Sequence, residues 1–147
     1  FKTLINFKGV FMKLLIIAAF ESLISLTIFA QHNQNEHSVE VCSSVDTTVC
    51  AHIGHMKDLI PSKLGSFVVH VTGPLEASNM TVLLWMPSMG HGSSPVTVTQ
   101  FDVNKYNITQ AAFIMKGEWL VRLAFTTGDV ANENQLVHQI DIPLEIK

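Results

Sequence analysis

From Ser66 onward, apolar and polar residues alternate with a period of two. In "SFVVHVT", Phe67, Val69 and Val71 share one face, and Ser66, His70 and Thr72 share the other. Successive side chains of a strand point to opposite faces, so this pattern predicts a half-buried strand with His70 toward solvent. "GPLEASN" supplies turn chemistry. Met80–Met86 is a second apolar run rich in strand-formers. "SPVTVTQFD" alternates again, with Val96 and Val98 opposite Thr97 and Thr99. "YNITQAAFIM" predicts a longer strand bent near Gln110, and Lys116–Gly117 a tight hairpin turn. "EWLVRLAF" places Trp119, Val121, Leu123 and Phe125 on one face with Arg122 on the other. "LVHQIDIPLEI" keeps Leu136, Ile140, Ile142 and Leu144 in phase. Pro143 cannot donate to a ladder and marks this last strand as an edge.

That makes six strands separated by turn signals, with no amphipathic helix among them. The expectation is an all-β fold, a small immunoglobulin-like antiparallel β-sandwich over residues 66–147. Trp119 and Phe67 are natural core residues, because aromatic side chains bring the most buried area per residue.

The N-terminal part reads differently. From Met12 the text runs "MKLLIIAAFESLISLTIFAQ": one basic residue, an apolar stretch, and a small residue, Ala30, before Gln31. This is the layout of a secretory signal peptide over residues 12–30. An uncleaved anchor is the alternative, since the stretch approaches the ~20 apolar residues of a spanning helix. Residues 1–11 precede the plausible start and read as mis-started upstream sequence. Residues 31–65 read as a polar tether followed by a loop-rich lead-in, with one short strand around Val39–Cys42. Either reading of the apolar segment puts the remaining chain outside the cytoplasm, with any membrane contact made through residues 12–30. What remains suffices for one domain and not two.

Composition sharpens this picture in two places. The formal net charge is −3 and no basic cluster follows the apolar segment, so nucleic acid is not an expected partner. The two cysteines, Cys42 and Cys50, lie close together in a chain bound for an oxidising compartment, which predicts a disulfide. Closing so short a loop contributes ~2.5 kcal/mol through chain entropy.

The chain has no nucleophile elbow, P-loop, dinucleotide fingerprint or HExxH motif, and its carboxylates are few and scattered. Nothing in it supports an enzyme. Soft donors stand out instead. "WMPSMGHG" places Met86, Met89 and His91 on one turn, where Pro87 restricts the backbone and Gly90 and Gly92 let it fold back. Thioethers prefer Cu(I), and imidazole also suits copper. Methionine stays a usable ligand where cysteine is lost to a disulfide. The phase of Met80–Met86 points Met86 toward the core, which leaves Met89 and His91 as the firmer pair. Against this stands ordinary packing, with Met89 filling a gap at a sandwich end and His91 solvated.

A second constellation is "CAHIGHM": Cys50, His52, His55 and Met56. A Cys42–Cys50 disulfide would remove Cys50 and leave the other three. Met115, just before Lys116–Gly117, is a weaker candidate for the same end as Met89. His138, in phase with Leu136 and Ile140, reads as a satisfied, partly buried histidine rather than a ligand.

The stretch "LLWMPSMGHGSSPVTVTQ…AAFIMKGEWLVRLAF" resembles YtkA-like domains, which are related to the FixH group of envelope proteins. It has a turn of the form M-x-x-M-G-H-G followed by Phe113, Met115, Gly117 and Trp119 in order, and the match spans about half the chain. The resemblance implies a periplasmic or otherwise extracytoplasmic copper-binding protein, a chaperone that holds Cu(I) for delivery or storage. It implies Met86, Met89 and His91 as ligands, with Met115 at lower weight. An acceptor such as a haem–copper oxidase subunit is the implied partner. FixH itself keeps a membrane anchor. The Cys42/Cys50 lead-in is not part of the family pattern, so one site or two stays open. The competing expectation is a metal-free interaction module, with its exposed Met and Trp residues as a docking patch.

Overall fold

The computed structural model describes residues 39–128 and 134–147. The signal or anchor segment expected over residues 12–30 and most of the expected polar tether lie outside these residues. Among the described residues, no helix is long and apolar enough to cross a membrane.

Among the described residues, nine strands form two antiparallel sheets: β1 (Val41–Cys42), β2 (Cys50–Lys57), β3 (Leu64–Thr72), β4 (Ala77–Met86), β5 (His91–Gly92), β6 (Thr97–Asp102), β7 (Lys105–Ala112), β8 (Gly117–Thr127) and β9 (Leu136–Ile146). The first sheet runs β1-β2-β3-β7-β6 and the second β5-β4-β8-β9. They pack face to face as a sandwich. Period-two alternation delivers the core: Phe67, Val69 and Val71 from β3, Ile108 from β7, Trp119, Val121, Leu123 and Phe125 from β8, and Ile140 and Ile142 from β9 are all buried. Each such side chain contributes ~1.5–3 kcal/mol on leaving water. β9, with Pro143, is an edge strand as expected.

Two polar links join the sheets through the core. The Tyr106 hydroxyl on β7 donates to the Ala77 carbonyl on β4 at 2.6 Å. Burial, with the nearby Glu76 charge, raises the Tyr106 pKa above the ordinary tyrosine value. His138 on β9 is fully buried and hydrogen-bonded to the Ser43 and Thr127 hydroxyls at 2.9 and 2.8 Å. It also stacks on Phe125 with ring centroids 5.2 Å apart. The structural role expected for His138 holds, with burial complete rather than partial.

Three local expectations need revision or refinement. Cys50–Lys57 is not part of a loop-rich lead-in but a full strand between β1 and β3. Its inward residues, Ala51 and Ile53, alternate with His52 and Gly54. The alternation is real but short, and the bulge at His55 breaks its phase before it can be read as a strand. Lys116–Gly117 does not close a hairpin. β7 and β8 belong to different sheets, and the segment between them crosses the sandwich. The bend at Gln110 is a bulge: the β3–β7 register slips between Gly65 and Phe67, and Gln110 takes φ +60°.

The expected disulfide is present. Cys42 and Cys50 are cross-strand partners in the β1–β2 ladder and are joined, and the described residues contain no free cysteine. Inside the loop, the Thr48 amide and hydroxyl both donate to the Asp46 carboxylate and lower its pKa. Such a disulfide points to an oxidising, extracytoplasmic compartment.

Candidate functional site

The β4–β5 connection is built by its backbone. The Met89 and Gly90 amides donate to the Met86 carbonyl at 3.2 and 3.0 Å, and Gly90 takes φ +67°, where glycine costs nothing. This closes the chain back on itself and makes Met86 and His91 direct cross-strand partners. Paired residues of an antiparallel ladder project to the same side of the sheet. Met86 is 5% exposed and belongs to the core, as its phase predicts. His91 is half-buried beside it, and Met89 stands out at the tip of the turn, 53% exposed.

His91 Nδ1 lies 3.1 Å from the Gly92 carbonyl. A carbonyl only accepts, so Nδ1 is the donor, and in the neutral ring that leaves the Nε2 lone pair for a ligand. Metal-binding histidines are commonly held this way, with one nitrogen donating to a fixed acceptor and the other facing the ion. The turn is further fixed by Ser93, whose amide donates to the Leu84 carbonyl at 2.9 Å and whose hydroxyl donates to the Ala112 carbonyl.

Met115 is brought to the same end by the crossover. A Cβ placed on Gly117 would stand 3.1 Å from the Met86 methyl carbon, so Gly117 lies against the Met86 side chain. Met115 itself is half-buried against the core, and its carbonyl accepts the Trp119 indole N–H at 3.1 Å. The fold thus collects Met86, Met89, His91 and Met115 from two connections at one end of the sandwich.

The second constellation is divided. Cys50 is consumed by the disulfide. A bulge between Gly54 and Lys57, with His55 at φ +49°, inserts one extra residue into β2. The inward phase therefore passes from Ile53 to Met56, which packs against the core. His55 stays on the outer side with His52. There the two line a surface cavity of about 300 Å³ together with His70, Phe101 and Lys105.

His70 is the residue that sequence reasoning passed over. It sits directly across the β2–β3 ladder from His52, with ring centroids 4.9 Å apart and edge to face. Partial burial, then the neighbouring His52 and Lys105, lowers its pKa below the usual histidine value. Its position on a polar strand face was visible in the sequence, but its partner depended on register. Among the described residues, no three His, Cys, Asp or Glu side chains are grouped so as to hold one ion. That observation does not bear on thioether donors.

Compared with known protein families, curated proteins and solved structures, the chain matches none of them.

Proposed function

We propose that this chain is an extracytoplasmic copper-binding protein that holds Cu(I) at the β4–β5 end of the sandwich for delivery or storage. The observation that carries this reading is the cross-strand pairing of Met86 with His91, together with the Nδ1–Gly92 hydrogen bond that leaves His91 Nε2 available. Met86 and Met89 would add thioether sulfur, the donor that favours Cu(I), with Met115, two residues before Gly117, as the lower-weight candidate. A ligand set held by one short turn loses little entropy on binding.

The immunoglobulin-like assignment of the fold belongs to the same reading. It is supported by strand order: β2-β3-β7-β6 follows the A-B-E-D sheet, and β9-β8-β4-β5 follows G-F-C-C′. The resemblance to YtkA-like and FixH-type proteins supports a periplasmic or inner-membrane location within this reading. An envelope copper acceptor, such as a haem–copper oxidase subunit, is the partner it would imply.

The test is competition for Cu(I) between the full chain and a colorimetric chelator. The wild-type chain should retain at least one equivalent, and the Met89→Ala/His91→Ala double variant should lose it. Equal retention by both would remove copper from this turn. A chain that retains none, even when purified from copper-fed cells, would favour the metal-free interaction module.

A further inference from the structure

We propose that His52 and His70 form a second metal site, for a divalent first-row transition ion, on the outer face of the first sheet. The site is distinct from the thioether end and does not rest on the reading given to it.

Imidazole nitrogens bind such ions at about 2.0–2.1 Å, which sets the ring centroids of two imidazoles on one ion about 5.2 Å apart at a tetrahedral angle and about 4.5 Å apart at the right angle of a tetragonal site. The His52 and His70 centroids are 4.9 Å apart without an ion. The β2–β3 ladder fixes this spacing, because the two residues are register partners in adjacent strands. Both residues are half-buried, and rotation about the Cβ–Cγ bond, a soft torsion for histidine, is the movement that would turn a nitrogen of each toward a shared ion.

The surroundings suit a partly hydrated cation. Gly54 lies next along the face and has no side chain, and the cavity of about 300 Å³ beside the pair has room for the waters that complete a coordination shell. The Lys105 ammonium on the same wall is held by Asp102 at 2.7 Å, which offsets its repulsion of an incoming cation. Asp102 and Glu40 both act on His70 as negative charges.

Two imidazoles without thiolate or thioether select borderline divalent ions, with Cu(II) tightest in the Irving–Williams order. The donor chemistry therefore separates this site from the soft site at the β4–β5 end.

The experiment is titration of the full chain with Cu²⁺ at neutral pH, followed through the histidine ring signals by NMR. A paramagnetic ion at this site should broaden His52 and His70 at substoichiometric amounts and leave the fully buried His138 sharp. His52→Thr and His70→Thr keep strand-forming residues on the face. Each should weaken the site at least tenfold, since even outer partners of metal ligands are worth about 10–100-fold. The wild-type broadening needs no variant, so the proposal is testable even if a variant folds poorly. Sharp His52 and His70 signals throughout the titration would overturn it. So would unchanged affinity in the two single variants, or loss of the same equivalent in Met89→Ala/His91→Ala.

Discussion

At the scale of single residues, the candidate ligands are sorted by strand phase. Met86 is both a core residue and a neighbour of His91, because the alternation of β4 turns it inward just where β5 pairs. This much was readable, since the phase of Met80–Met86 already pointed Met86 into the core. The exposure of Met89 followed from its place between Pro87 and Gly90. The outward placement of His55 and the inward placement of Met56 did not, because one bulge residue reverses the faces and a bulge has no fixed signature. Gly117 holds the other side of this end. Its φ of +126° is unfavourable for any L side chain, and a Cβ there would press on the Met86 methyl at 3.1 Å. Gly117→Ala should therefore lose about 1–3 kcal/mol of stability, read from urea unfolding. It should also disturb Cu(I) retention if Met86 is a ligand.

At the scale of elements, strands were readable where branched and aromatic residues carry the alternation. β3, β4, β6, β8 and β9 overlap their expected positions, and β7 bends where expected. β2 was hidden because the alternation of Ala51 and Ile53 with His52 and Gly54 is short, and a bulge reverses its phase at His55. The β7–β8 connection was misread because a Lys–Gly pair serves a crossover between sheets as well as a hairpin. Only the partners of each strand tell the two apart. The disulfide belongs to this scale, because it clamps the two-residue β1 onto β2. A Cys42→Ser/Cys50→Ser variant should be less stable by ~2.5 kcal/mol, the chain-entropy value for so short a loop. Denaturant midpoints of the two proteins check this, and reductant should lower the wild-type midpoint without moving that of the variant.

At the scale of the whole molecule, His138 ties the halves together. It sits on β9 of the second sheet and bonds Ser43, in the β1–β2 connection of the first. His138→Ala would leave a cavity and deprive two buried hydroxyls of their partner, and it should cost about 3 kcal/mol. His70→Thr, on the outer face, should stay within about 0.5 kcal/mol. Equal losses in thermal or urea unfolding would contradict the linking role. What the sequence by itself determined is local: which residues alternate, which sulfur and nitrogen donors share a turn, and which cysteines are near enough to join. Tertiary structure alone decided pairing across strands. It set His70 opposite His52, brought Gly117 against Met86 and bonded His138 to Ser43. The reason is physical: periodicity along a chain says which face a side chain takes, but a contact between strands depends on register and sheet order, which only the packed core selects.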